Sequence, residues 1–484
     1  MKKYLKYLII LSLLAFVTSC EKDDTDGIIV IPSEPVDPPT DELLLSRKEL
    51  RGVWIATVSG IDWPQNDYTV AGQKRMYTDY LDKFADANIN AVFVQIRPTA
   101  DAFYNSAYES WSRSITGVAG KDPGYDVLQF MLDEAHARGL EFHAWMNPYR
   151  ISQRSSSAVA FPDLDPKINQ AWTKDYDKIR VYNPAMPEVH QHVADIVKDV
   201  ITKYDVDGIH FDDYFYPDLG NVSLLNDQAD YNTYGSGYAN ITQFRIANVN
   251  KAIRKVMETI VKEKPGVVFS ISPTSSYNYN LNTLFADVAT WCKEGWCDIV
   301  IPQIYQATGS ASNNFDAFVD WWATNNYKAV PMVGYALYKF GDSSQGDKFM
   351  STEELVQQFG LANARTNIKG SVLYNATCFN TNRIGIIDVL KSRIYKNPAL
   401  IPFVGRKTLS EPTVVSVMIS GNKLMWNAPA NLRFAIYKLE NDRGTIVGIT
   451  GEQEFDLTDK GDYCVTVVNK DNVESAVSNI ISYQ

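Results

Sequence analysis

From residue 52 onwards the apolar positions of this chain fall into short continuous runs, at 52–58, 91–96, 140–146, 207–211, 267–271, 299–304, 329–334 and 371–374. Longer stretches with apolar residues at helical spacing separate them, as at 74–87, 125–137, 187–204, 241–261 and 352–364. Runs of this length without polar alternation predict strands buried on both faces, and such strands alternating with helices predict a parallel sheet. Eight repeats of the unit predict an α/β fold of the (β/α)8 TIM-barrel type over residues 47–405. An open doubly wound sheet is the alternative, and it leaves the count of eight as coincidence. Beyond Pro412 the pattern changes to short alternating runs with turn signals, at 414–419, 423–426, 434–439, 444–448 and 462–468. Residues 411–484 are therefore expected to form a small all-β sandwich of fibronectin or immunoglobulin-like type.

The first residues follow a different pattern. Lys2 and Lys3 precede an apolar run at 8–17 that ends in Val17-Thr18-Ser19-Cys20, which resembles a bacterial lipobox. Residues 1–20 are expected to be a lipoprotein signal peptide, with Cys20 as the lipid attachment site, because the run is short for a membrane span. Residues 21–46, with Pro32, Pro35, Pro38 and Pro39, read as a disordered tether. Glu21-Lys22-Asp23-Asp24 is similar to the acidic export tag of surface lipoproteins in the Bacteroidetes. The expected location is the bacterial cell envelope, on the periplasmic or the surface face of the outer membrane.

Composition narrows the partners. The 484 residues carry 46 basic and 57 acidic side chains without long blocks, so the net charge of −11 offers no footprint for nucleic acid. With only five histidines, no cysteine pair has metal-ligand spacing backed by histidines, which argues against a metal site, and no motif calls for a cofactor. Cys292 and Cys297 fit either a disulfide or two buried free thiols.

In barrels of this kind function gathers at the carboxyl ends of the strands, and those positions are unusually polar here. The run 207–211 ends in Asp212, Asp213 and Tyr214, and strand alternation places His210, Asp212 and Tyr214 on one face with Ile209 and Phe211 on the other. An acidic pair also makes ordinary turns and helix caps, which is the structural reading of the same residues. The other strands contribute Asp62 and Trp63, Arg97 and Asp101, Asn147 and Arg150, Ser272, Gln303 and Tyr305, and finally Tyr335, Tyr338, Tyr374 and Asn375. Carboxylates, amides, arginines and aromatic rings together form the inventory that holds a sugar and cleaves its glycosidic bond. Arg97 and Arg150 have a competing role as ion-pair partners of Asp101 or Asp213, and Glu109 one as a solvated loop charge.

Several of these segments, Arg51-Gly52-Val53-Trp54, Gln95-Ile96-Arg97-Pro98, Trp111-Ser112, Trp145 to Arg150, Asp207 to Pro217, Ile271-Ser272-Pro273 and Pro302-Gln303-Ile304-Tyr305, resemble the glycosyl hydrolase-like family 10. The resemblance runs from about Arg47 to Tyr395. It implies a TIM barrel, an envelope location and glycosidase activity, with some members similar to enzymes that cut peptidoglycan strands stripped of their peptides. Phe244-Arg245 stands where the family more often has Trp-Arg, and Gln306 where an aromatic is common, departures that bear on a sugar subsite.

Asp207 to Tyr214 is also similar to the chitinase strand-four motif, whose last acid is the general acid. Here Tyr214 holds that position, and a phenol with a pKa near 10 donates its proton poorly. Asp212 or Asp213 is then the expected catalytic carboxylate, with Asp101 and Glu109 as second partners by position. Arg97, Trp111, Asn147, Arg150, His210, Tyr214, Gln303 and Tyr305 are the expected substrate-binding residues. Two carboxylates roughly 5 Å apart would give retention and roughly 6.5 to 9.5 Å inversion, while an N-acetyl sugar can supply its own nucleophile. The expected function is hydrolysis of an envelope glycan, most readily peptidoglycan. The alternatives are a non-catalytic glycan-binding lipoprotein, motivated by Tyr214, and a surface enzyme acting on an external polysaccharide.

Overall fold

The computed structural model describes residues 43–309, 311 and 313–484. Cys20, the signal peptide and most of the tether lie outside the described residues.

Eight parallel staves build the barrel: Leu50–Ile55, Ala91–Arg97, Glu141–Met146, Gly208–Phe211, Val268–Ile271, Ile299–Val300, a divided seventh, and Gly370–Tyr374. The seventh consists of Val330–Pro331, paired with strand six, and Val333–Ala336, paired with strand eight, with Met332 between them. Strand eight pairs in turn with strand one, which nearly closes the sheet into a TIM-like barrel. An open sheet would leave both of those edges free. Strand six is shorter than its apolar run because Pro302 has no N–H to give the ladder.

Side-chain alternation divides each strand between two cores. Trp54, Phe93, Trp145, Val268, Ile299 and Val372 fill the barrel interior. Val53, Val92, Val94, Phe142, Ile209, Phe211 and Ile271 pack outward into the larger core. That core also takes in helix residues such as Leu81 and Phe84 of Val70–Asp86 and Val193 and Val197 of Pro187–Lys203. Gly208 in the acidic motif is required by close approach, since a Cβ there would meet His143 Nδ1 at 2.2 Å. Any larger residue would have to push the buried His143 ring aside.

The loop after strand three carries a small antiparallel sheet, Arg150–Gln153, Thr173–Asp175 and Ile179–Tyr182, that the hydrophobic pattern does not announce. Its strands are short and largely polar, so nothing in their periodicity separates them from loop.

The C-terminal region forms two β-sheets. One has five strands in the order Leu44–Leu45, Arg443–Thr450, Arg433–Glu440, Gly461–Val468, Ile481–Tyr483; the other joins Val417–Ser420, Lys423–Trp426 and Glu454–Asp456. Leu44 and Leu45 pair with Arg443 and Gly444, so the end of the expected tether is a strand of this sheet. At the amino end of the barrel, Glu141 accepts hydrogen bonds from Lys407 Nζ at 3.3 Å and from Asn472 Nδ2 at 2.7 Å. Burial pushes the Glu141 carboxyl up, but Lys407 and His143 outweigh it and hold it low. Arg406 binds Asp298, whose carboxylate also caps the Phe269 N–H at 2.8 Å. The four cysteines from Cys292 to Cys464 are buried free thiols, which excludes the Cys292–Cys297 disulfide.

Candidate active site

Asp212 sits immediately beyond strand four with only 2% of its surface exposed. Strand three lies in register beside it, Trp145 opposite His210, and this brings the indole Nε1 to 3.0 Å from Asp212 Oδ2. Asn147 Nδ2 lies 3.5 Å from the same oxygen, and the Tyr214 N–H donates to Oδ1 at 3.3 Å. Burial, and then the adjacent charge of Asp213, push the Asp212 carboxyl up from 3.8 to about 7. Such a group keeps a transferable proton near neutrality.

Asp213 is half-buried and accepts a hydrogen bond from Gln303 Nε2 at 3.2 Å, and that amide also donates to the Ser272 carbonyl at 3.1 Å. Burial raises its carboxyl as well. Tyr214 is 47% exposed, and the Arg150 guanidinium lies 4.3 Å from its ring centroid. Across the mouth, Tyr305, Tyr338 and Tyr374 form an aromatic group with ring centroids 5.8 to 6.3 Å apart. Of these only Tyr305 belongs to the expected substrate-binding set. Tyr335 faces outward and stacks on Phe359, so it is no part of the mouth.

His210 is a correction. It is fully buried in the barrel interior, where Trp54 Nε1 donates to its Nε2 at 3.0 Å and its Nδ1 lies 2.8 Å from Ser270 Oγ. With Nε2 accepting, Nδ1 carries the proton and donates to Ser270, whose hydroxyl passes on to the Ile209 carbonyl. Both ring nitrogens are thus used, burial holds the imidazole neutral, and no substrate reaches it.

The strand-two residues are also corrected. Arg97 and Glu109, each 1% exposed, form a bidentate ion pair with Nε to Oε2 at 2.7 Å, and Arg97 donates further to the Asn147 carbonyl. Burial by itself would lower the Arg97 pKa, and the Glu109 charge more than offsets it. Glu109 is therefore neither a solvated charge nor a carboxylate facing a cleft, and Arg97 pairs with it rather than with Asp101. Asp101 is half-buried and spends Oδ1 on the N–H and hydroxyl of Thr99. Trp111, bridged to Ala102, packs against the outer core. A second buried carboxylate at the mouth, Asp62, is raised to about 6 by burial and accepts from Ala56, Asn375 and Thr377.

Trp145 is the contact that sequence reasoning missed. An inward tryptophan on a barrel strand reads as filling, and only its cross-strand register with His210 signals that its N–H reaches the next strand's carboxylate.

The glycosyl hydrolase-like 10 family model matches residues 49–351. The chain is 39% identical over 378 residues to the glycosyl hydrolase YngK of Bacillus subtilis (strain 168), an alignment covering 74% of each protein. It is 33% identical over 410 residues to the glycosyl hydrolase DigH of Escherichia coli (strain K12), covering 77% of this chain and 92% of the relative. Among solved structures, the PgaB (BpsB) glycoside hydrolase domain from Bordetella bronchiseptica aligns over 72% of this chain and 98% of its own at 12% identity and a TM-score of 0.47. That last likeness bears on neither substrate nor mechanism. The chain belongs to the glycosyl hydrolase-like 10 family and is a glycoside hydrolase.

Proposed function

We propose that this glycoside hydrolase cleaves the glycan strands of peptidoglycan, with Asp212 as the general acid. The observation that carries the assignment is the Asp212 carboxyl, buried at the end of strand four and raised to about 7. A carboxyl with that pKa protonates a leaving glycosidic oxygen at neutral pH, which an ordinary aspartate does poorly. Elimination supports an acetamido-assisted route. Glu109 is locked to Arg97, Asp62 to Asn375 and Thr377, and Asp101 to its own turn. Asp213, adjacent to the acid and steadied by Gln303, is left to orient the substrate's own acetamido oxygen.

The peptidoglycan assignment rests on the family resemblance, and the envelope location on the lipobox at Cys20. We further infer that the two C-terminal sheets form a fibronectin or immunoglobulin-like sandwich, because one apolar cluster draws Val417, Leu424 and Trp426 from one sheet and Phe434, Ile436 and Val465 from the other. The test is digestion of peptide-free peptidoglycan strands followed by mass analysis of the products. Release of muropeptide-free oligosaccharides by the wild type, and none by Asp212→Asn, is the expected result. Intact strands after prolonged incubation with folded wild-type protein would sink the reading.

A further inference from the structure

Four arginines are buried among the described residues: Arg51, Arg97, Arg150 and Arg245. Three of them have a carboxylate, Arg51 that of Glu49, Arg97 that of Glu109 and Arg245 that of Asp227. Arg150 has none within ion-pair distance among the described residues. Its Nε and Nη2 both donate to the one carbonyl of Pro98, at 3.3 and 3.2 Å, and its guanidinium is stacked on the exposed ring of Tyr214. Nη1 makes no hydrogen bond to any described residue. The carboxyls of Asp212 and Asp213 act on it only from beyond ion-pair distance, so this buried cation lacks the direct carboxylate contact that offsets desolvation in the other three. A carboxylate in direct contact would complete the guanidinium's partners, and the open side is the mouth, where Arg150 lies over the exposed Tyr214 ring and near Asp212 and Asp213.

We propose that Arg150 receives a carboxylate carried by the substrate sugar, so that the enzyme selects acidic glycans over neutral ones. A planar guanidinium with a free edge suits a carboxylate oxygen, and the Tyr214 ring fixes its orientation. The lactyl ether acid of an N-acetylmuramic residue and the C6 acid of a uronic residue both present this chemistry. The inference rests on the mouth of strand four being the glycan-cleaving site, and it deepens that reading by naming what the glycan must carry. A different role for Arg150 is to tune Asp212 and Asp213 through its charge alone. Removing it would then shift the pH profile by the same amount for every substrate.

Binding is measured by calorimetry with the full chain carrying Asp212→Asn, which holds substrate without turning it over. The probes are peptide-free peptidoglycan oligomers, the same oligomers after reduction of their carboxyls to alcohols, and oligogalacturonate. We expect reduction to weaken binding roughly tenfold or more, Arg150→Gln to abolish the difference, and Arg150→Lys to restore part of it. A purely structural role would weaken both peptidoglycan oligomers alike and would leave the preference intact in Arg150→Gln. Equal affinity of the Arg150 protein for native and reduced oligomers overturns the proposal, as does failure to bind all three probes. Tight Arg150-dependent binding of oligogalacturonate in place of the peptidoglycan oligomers assigns the carboxylate to a uronic sugar. Selective binding without fragment release by the wild type would refute the peptidoglycan hydrolase reading while leaving the carboxylate assignment standing.

Discussion

Asp212 is asked to be both buried and ionisable, and the conflict has measurable consequences. Asp212→Asn keeps the shape and the hydrogen bond from Trp145 but carries no transferable proton, so we expect kcat to fall about 10²- to 10⁴-fold with KM little changed. Its effect on stability depends on pH, and the sign follows from linkage. The folded carboxyl holds its proton until about pH 7, whereas an unfolded aspartate releases it near the ordinary value of 3.8. The folded state therefore binds the extra proton between those limits, and wild-type stability declines as pH rises through them. Thermal scans should find the two proteins alike at pH 4 and Asp212→Asn the more stable at pH 8. Trp145→Phe provides an independent check. The indole N–H holds the Asp212 pKa down, so its removal should carry the alkaline limb of the activity profile to higher pH. An unmoved limb in Trp145→Phe would detach the profile from Asp212.

At the scale of elements, the loop after strand two is held by a buried charge pair. Arg97, at the end of the strand, ties the loop residue Glu109 to the Asn147 carbonyl just beyond strand three, and the Tyr182 hydroxyl of the small antiparallel sheet donates to Glu109 at 3.4 Å. One buried pair thereby fastens two loops and the added sheet around the mouth. Glu109→Gln leaves Arg97 buried without a counter-charge, which costs about 3–5 kcal/mol where such pairs are broken. Denaturant titration should show that loss. Initial rates on the folded fraction should fall far less than in Asp212→Asn, and a collapse of turnover to the same level would return Glu109 to the catalytic set.

The whole molecule depends on a second charged junction, at the opposite end of the barrel. Glu141 of strand three meets Lys407 from the segment that leaves the barrel and Asn472 from the C-terminal sheets. Lys407 keeps Glu141 ionised, so the stabilisation is present above the ordinary carboxylate range and is lost as pH falls and the folded state takes up its proton. Lys407→Met should lower the thermal midpoint at pH 7, and the gap to wild type should narrow as the pH is brought below about 4. A gap of constant size across that range would assign the effect to packing by the lysine stem. The Leu44–Leu45 strand adds a further tie, since it joins the start of the barrel to the C-terminal five-stranded sheet.

By itself the sequence determined the barrel's strands and helices and the position of Asp212 and Asp213 at the end of strand four. Continuous apolar runs, helical periods between them and their count of eight are local properties of the chain, and so is the alternation that puts His210 and Asp212 on one face of strand four. Only the tertiary structure decided what each polar side chain does there. Whether Glu109 is solvated, catalytic or paired depends on Arg97, 12 residues away, and the neutrality of His210 depends on Trp54 and Ser270, 156 and 60 residues away. The seventh strand's division, the small sheet after strand three and the strand at Leu44–Leu45 likewise come from pairing between distant segments. Spacing along a chain encodes periodicity, and burial and charge compensation are set by neighbours that folding brings from elsewhere.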